Sequence, residues 1–285
     1  MCLIAFAIGV SHRWPLVVAS NRDEFLSRPT LPLEKWKTDS GQCIISGRDS
    51  QAGGTWLGVS PAGRVAFLTN VREARSEAAQ RSRGELVIRW LADQENFTHF
   101  AAALEKDKAG YGGYNLVVGD LQRNLWAWLS NRSSPSAGHW EVKTLKPGVY
   151  GLSNAALDTP WPKTTALKNV LAGVLQHEGT TPNLETLHKP LWEALARREK
   201  MPFATLPASG ISEAMQTALS STFVDFPELG YGTRSSTLIV ASTSQNHWAS
   251  TSSLHMDVRE RTHFPTGFHG VSPLFQEVNC ALDVR

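Results

Sequence analysis

The sequence predicts an α+β fold organised as one unit, and three observations carry that expectation. Short apolar segments punctuated by glycine and proline fill the chain from Leu3 to Thr69. Helical periodicity then dominates the middle, and strand-like runs return at 236–241 and 254–258. Finally, no internal repeat or low-complexity linker separates these regions, so strands at both ends and helices between them belong to a single domain over residues 1–262. The remainder, 263–285, holds Pro265, Gly267, Gly270 and Pro273 and is expected to be an irregular tail.

The elements follow in order. Residues 3–9 are a short apolar run, 11–15 hold turn residues, and 16–20 are apolar again and partly β-branched. A turn centred on His12 makes antiparallel partners sum to about 24, which sets Cys2 opposite Arg22 at roughly 5 Å. The same register brings the thiol beside Asn21, Asp23 and Glu24. Segments 43–47, 55–59 and 65–69 read as an antiparallel meander, with Pro61, Ala62 and Gly63 as the turn between its last two strands. Ser82 and Glu85 have capping-box spacing, and Leu86, Val87, Trp90 and Leu91 mark an apolar helical face behind them. A second helix is expected over 97–106. Strands follow at 116–118 and 125–129, joined near Asp120, and at 150–154. Helices are expected over 164–176, 184–197 and 211–219.

Charge narrows the partners. Twenty-eight basic residues against 26 acidic give a net charge of +2, which supplies no electrostatic attraction for nucleic acid or an anionic membrane. Arg72, Arg75, Arg81 and Arg83 cluster, but Glu73, Glu77 and Glu85 interleave them, so the stretch reads as a solvated loop and helix start. The opening MCLIAFAIGV has no basic segment before it and is cut short by SHRW, so it reads neither as a secretory signal nor as a membrane span of roughly 20 residues. Cys2, Cys43 and Cys280 are odd in number and far apart, which suits neither a disulfide framework nor a zinc site. A cytoplasmic protein with reduced cysteines, acting on a small molecule, is the expectation.

Cys2 is the first candidate for chemistry. It reads as a buried small hydrophobe at the start of a strand, or as a nucleophile. Removal of Met1 would make Cys2 the amino terminus, and an α-amine with an ordinary pKa of about 7.7–8 can then act as base toward the thiol. Arg22 and Asp23 read as a surface ion pair, or as partners of that thiol and amine. On a regular strand their side chains point to opposite faces, so both serve one site only if a bulge or a strand end re-aims one of them. Asn154, in GLSNAALDTPWPK, is a turn residue or an amide donor to an oxyanion. Arg234, in GYGTRSSTLIV, is a surface arginine or lies where glycines admit a ligand, and Asn70 at the end of LTN can line the same mouth. Trp14, Trp36, Trp56, Trp126 and Trp128 flank strands and fill either a core or an apolar pocket. Neither a phosphate loop nor an HExxH pattern is present.

MCLIAFA, NRDE at 21–24, GGTWLG at 53–58, LTN at 68–70, GLSN at 151–154 and YGTRSST at 231–237 together resemble the NRDE family, also called the transport and Golgi organisation family. The match spans roughly residues 1–260. That family is in turn similar to the N-terminal-nucleophile hydrolases of the choloylglycine hydrolase and penicillin V acylase branch. The resemblance implies a four-layer αββα sandwich. It implies Cys2 as nucleophile, Asp23 as the carboxylate that orients it, Asn154 as the oxyanion residue and Arg234 as the late arginine. Arg22 departs from the hydrolase pattern: there the early arginine lies further ahead of the aspartate, whereas here it immediately precedes Asp23. The implied activity is amidohydrolysis of a non-peptide C–N bond, with no cofactor required. The family has also been linked to haem movement and to lipid or acyl-coenzyme A homeostasis, which implies the alternative of a carrier that binds haem or another apolar metabolite without chemistry.

Overall fold

A computed structural model describes residues 2–72, 79–93, 95–132, 139–176, 183–207, 211–245, 252–264 and 275–284. In chain order the strands are β1 (Cys2–Ile8), β2 (Leu16–Phe25), β3 (Thr30–Lys37), β4 (Cys43–Asp49), β5 (Leu57–Val59) and β6 (Arg64–Asn70). Helices α1 (Gly84–Ala92) and α2 (Phe97–Asp107) follow, then β7 (Tyr114–Asp120), β8 (Leu125–Ser130), β9 (Glu141–Thr144) and β10 (Gly148–Leu152). The chain continues through α3 (Pro162–Gln176), α4 (Leu184–Leu195), α5 (Glu213–Ala218), β11 (Asp225–Phe226), β12 (Tyr231–Gln245), β13 (Ser252–His263) and β14 (Phe275–Asp283).

Two antiparallel sheets form. The first runs β10-β1-β2-β12-β13-β14, with β11 paired to β12, and the second runs β3 to β9 in sequence order. Side-chain alternation explains how they stack. Ile4, Phe6, Ile8, Leu16 and Val18 point between the sheets and meet Val65, Phe67, Val117, Trp126 and Trp128. Leu3, Ala5, Ala7, Val17 and Ala19 point the other way, onto Leu167 and Leu171 of α3 and Leu187, Leu191 and Trp192 of α4. On the far side, Ala66, Leu68, Leu116 and Val118 pack under α1 and α2 through Leu86, Val87, Trp90, Phe100 and Leu104. The architecture is therefore the four-layer αββα sandwich. A strand buried on both faces must be apolar at every position, which is why β1 reads as a continuous run rather than an alternating one.

The β1–β2 register is the one the turn arithmetic predicts: Ile8 pairs with Leu16 and Cys2 with Arg22. Elsewhere the structure departs from expectation. Residues 275–283 of the tail are a strand, β14, hydrogen-bonded along β13. Val278 and Cys280 pack against the inter-sheet core and Leu282 is part of it, while Glu277, Asn279, Ala281 and Asp283 are exposed. This is period-2 alternation, and the glycines and prolines before it hide the pattern. β3 is not among the expected strands; the ladder to β4 shifts register between Leu31 and Glu34, around Pro32. β9 is an edge strand exposed at every position, so it carries no burial signal. At the start of α1, Ser82 Oγ accepts from Gly84 N rather than closing a capping box with Glu85. The last helix is shorter than 211–219, because the Ser212 side chain caps it and only Glu213–Ala218 are helical. Within the arginine cluster, Arg75 and both Glu73 and Glu77 lie outside the described residues. All three cysteines are free. Among the described residues no helix is long and apolar enough to cross a membrane.

Candidate active site around Cys2

β1 and β2 deliver the site together. Cys2 heads β1 on the inter-sheet face, 6% exposed, and its register partner Arg22 is 4% exposed on the same face. The Arg22 guanidinium reaches across to the second sheet. It lies over the Trp56 ring at 4.3 Å, donates to Thr30 Oγ1 at 3.2 Å, and pairs with Asp49 Oδ2 at 3.6 Å. Trp56 can lie there because residue 47 is glycine: a Cβ at Gly47 would meet the indole at 2.5 Å. Arg28 completes the cluster, bonded to the same Asp49 oxygen at 2.7 Å.

Asp23 takes the opposite face, as alternation requires. Its Oδ1 accepts from Thr233 Oγ1 at 2.7 Å, and its backbone carbonyl accepts from the Tyr231 hydroxyl at 2.8 Å. Asn21 also faces this side, donating to the carbonyls of Leu195 and Thr222. A bulge is present, but in β12, where it re-aims neither Arg22 nor Asp23: Arg22 pairs with Ser235 and Asp23 with Thr233, leaving Arg234 as the extra residue. Arg22 and Asp23 nevertheless both line one cleft with Cys2, because that cleft opens at the ends of β1 and β2.

The cleft has a volume of about 530 Å³. Its walls include Arg22, Asp23, Glu24, Arg28 and Asp49 on one side of the motif set, Trp56, Leu68 and Asn70, and the 79–84 segment leading into α1. Gly54 and Gly84 touch closely there; a Cβ at Gly54 would stand 2.6 Å from the Gly84 carbonyl carbon.

Asn154 and Arg234 are not among the residues lining this cleft. The Asn154 amide donates to the Asn70 carbonyl at 3.0 Å, and its oxygen accepts from Ser153 Oγ, which also reaches the Cys2 carbonyl at 3.2 Å. Arg234 Nη1 donates to the carbonyls of Phe25, Leu26 and Arg28, all within 3.0 Å, so the bulged residue clamps the turn that follows β2. Of the flagged tryptophans, Trp126 and Trp128 fill the inter-sheet core and only Trp56 borders the cleft.

Electrostatics at the site are set by burial. Burial pushes the Cys2 thiol up; the amino-terminal charge and Arg22 oppose that rise, while Asp23 and Glu24 add to it. Burial also pushes Asp23 up, and Lys163 is the largest opposing influence. Lys163 itself is 6% exposed and pushed down by burial, with Asp23 and Cys2 acting in its favour. Sequence reasoning missed Lys163, Thr233 and Tyr231. One local signal for Lys163 existed: a lysine in the first turn of a helix opposes the helix dipole. Among the described residues no group of three or more His, Cys, Asp or Glu side chains is placed to hold a metal ion.

A family model described as Transport and Golgi organisation 2 matches residues 1–255. The human Transport and Golgi organization protein 2 homolog is 31% identical over 280 residues, covering 93% of this chain and 97% of its own. The mouse homolog is 31% identical over 255 residues, covering 84% and 88%, and the Drosophila melanogaster protein is 26% identical over 265 residues, covering 87% and 90%. Among solved structures, a Caenorhabditis elegans N-acylethanolamine-hydrolyzing acid amidase ortholog aligns with a TM-score of 0.46 at 12% identity, covering 76% of this chain and 96% of its own. A mutant conjugated bile acid hydrolase from Clostridium perfringens aligns with a TM-score of 0.39 at 8% identity, covering 98% and 96%.

Proposed function

We propose that this chain, which belongs to the Transport and Golgi organisation 2 family, is a cysteine amidohydrolase that cleaves a non-peptide acyl C–N bond with Cys2 as nucleophile. The observation that carries the reading is the register of β1 on β2, which sets a free, buried thiol opposite a buried arginine in the lining of a cleft that the buried Asp23 also lines.

The chemistry would run as follows. With Met1 removed, the α-amine of Cys2 takes the thiol proton, and the thiolate sulfur attacks the carbonyl carbon. Asp23 holds that amine from the helix side of the sheet, while Arg22 faces the sulfur from the opposite strand. Negative charge on the carbonyl oxygen would be met by the Asn70 side chain, which lines the cleft, and by the second amide N–H of Asn154, whose Nδ2 is held on the Asn70 carbonyl. Collapse of the tetrahedral species breaks the C–N bond as the ammonium returns its proton to the leaving nitrogen. Water then releases the carboxylic acid from the thioester and restores the thiol.

The carrier reading finds less support. The cleft is lined by Arg22, Asp23, Glu24, Arg28, Asp49, Arg81 and Arg83, a charged surface that does not fit the apolar face of a haem. The test is turnover of a panel of acyl amides by purified wild-type protein and Cys2→Ala. Release of the amine by the wild type, lost in Cys2→Ala, supports the reading. Equal rates in both proteins, or saturable binding of haem with no turnover of any amide, removes it.

A further inference from the structure

Trp36 neither enters the inter-sheet core nor borders the Cys2 cleft. It belongs to β3, the edge strand of the second sheet, and stands opposite Ile44 of β4 on the face turned away from the first sheet. α1 lies over β4 to β7, so Trp36, at the margin of the helix layer, stays half-buried. Its indole N–H donates to Ser46 Oγ at 3.0 Å, which takes up the only donor the ring has.

Arg48 covers this ring. Strand alternation carries Ile44, Ser46 and Arg48 to one face of β4, and the Arg48 guanidinium lies over Trp36 at 4.6 Å from the ring centroid. Arg48 is half-buried, and among the described residues it makes no hydrogen bond or ion pair through its guanidinium. Arg22, Arg64, Arg198 and Arg261 also lie over aromatic rings, but each commits N–H groups to a carboxylate, a carbonyl or both. Arg13, stacked on Trp14, makes neither contact, and it is exposed. Arg48 thus combines partial burial, a fixed plane and five unmet donors.

Trp36 and Arg48 line a cleft of about 460 Å³ that shares no lining residue with the Cys2 cleft. That volume is in the range of small-molecule sites. Across from them α1 contributes Ile88 and Ala92, which add apolar surface to that of the indole. Arg89 lines the cleft as well, but its Nη1 donates to Asp107 at 3.3 Å and to the Tyr111 hydroxyl. Asp39 and Asp93 also stand in the lining, and neither forms an ion pair with Arg48. Two carboxylates in the wall weigh against a doubly charged ligand group. A carboxylate carries one charge and sets two oxygens in one plane, which is the arrangement a guanidinium edge matches.

We propose that this cleft is a second binding site that takes a small monocarboxylic acid with an apolar body, its carboxylate on the Arg48 guanidinium and its body along Trp36, Ile88 and Ala92. The indole holds the guanidinium in plane before the ligand arrives, so less side-chain freedom is lost on binding. The site does not depend on the hydrolase reading: it uses none of the residues assigned to that chemistry.

The test is titration of the purified full chain with sodium benzoate and, separately, with sodium octanoate. The readout is the set of indole N–H signals in nitrogen-15 NMR, with Trp36 and Trp56 assigned from Trp36→Phe and Trp56→Phe. At least one of the two acids should shift the Trp36 signal saturably. Arg48→Met keeps the apolar stem and deletes the donors, and should weaken that binding by about tenfold or more. Arg48→Lys keeps the charge without the planar edge and should weaken it severalfold. The amides of both acids, and phenyl phosphate, should leave the signal in place at concentrations where the acid saturates it. No saturable shift with either acid overturns the proposal, as does unchanged affinity in Arg48→Met. If Arg48→Met folds poorly, unchanged affinity in Arg48→Lys overturns it instead. Amides or phenyl phosphate binding as tightly as the acids would remove the carboxylate as the group recognised. A response at Trp56 in place of Trp36 would put the acid in the Cys2 cleft and remove the second site.

Discussion

Arg22→Met measures how strongly the two sheets are held together at the site. The arginine leaves the first sheet to contact Trp56, Thr30 and Asp49 of the second-sheet region, and methionine keeps most of its apolar stem while deleting the charge. Stranding a buried partner typically costs about 3–5 kcal/mol. Here the Asp49 side chain is 15% exposed and keeps Arg28 at 2.7 Å, so the figure falls to about 2 kcal/mol for the ion pair on that scale. Loss of the guanidinium over the Trp56 ring adds about 1 kcal/mol. A total near 3 kcal/mol is therefore expected, read by urea denaturation as a lower midpoint at unchanged slope. The loss should persist at high salt, because buried charges are poorly screened. Arg22→Met/Asp49→Asn should recover part of it by removing the stranded carboxylate. A loss below about 0.5 kcal/mol, of the size usual for surface substitutions, would refute the placement of Arg22 as a buried inter-sheet tie.

Three further outcomes follow from the same structure. His263 is pushed down to about 4, first by burial and then by Arg198 and Arg261. Ser236 gives its proton to Asn21 Oδ1, so His263 Nε2 must donate to Ser236 Oγ as the neutral ring. The folded value lies below the unfolded one, so this group's contribution is full above the ordinary histidine range and is lost as pH falls from there toward about 4. Urea midpoints at mildly acidic and neutral pH should differ less in His263→Gln than in wild type, by an amount on the order of 1–2 kcal/mol after allowing for partial exposure; equal differences would contradict the assignment. Gly54→Ala sets a methyl against the Gly84 backbone and should cost about 1–3 kcal/mol, whereas Gly173→Ala meets nothing within 4 Å in α3 and should gain about 0.5–1 kcal/mol. Thermal melts moving the same way in both variants would contradict these placements. Leu282→Ala removes a buried side chain that β14 adds to the inter-sheet core and should cost about 2–5 kcal/mol, and a neutral result would mean the strand is not docked.

How much the sequence revealed depends on how locally each feature is encoded. A hairpin fixes its own register, so the turn near His12 was enough to place Cys2 opposite Arg22. Apolar runs and helical periodicity located the central strands and the helix faces packed on them. The edge strands were harder, because β3, β9 and β14 bury one face or none and carry little periodic signal. The site was legible only along β1 and β2. Asp23 takes its hydrogen bonds from Thr233 and Tyr231, more than 200 positions away, and nothing in the local sequence of either residue reports that contact. Arg234 shows the converse difficulty: its motif marks it for the site, yet the β12 bulge turns it onto three turn carbonyls. The sequence argument required a bulge or a strand end to bring Arg22 and Asp23 to one site; the bulge falls in β12 and re-aims neither side chain, and both reach the cleft near the end of β2.

The most direct measurement for the central claim is the intact mass of the mature protein before and after treatment with an acyl-directed electrophile, followed by mapping of the adduct. Cys43 and Cys280 are more exposed than Cys2, so indiscriminate thiol chemistry would favour them. The account predicts a mature chain that begins at Cys2 and takes one adduct on that residue, with no adduct in Cys2→Ala. A mature chain that retains Met1, or one labelled on Cys43 or Cys280 while Cys2 stays unmodified, would contradict it.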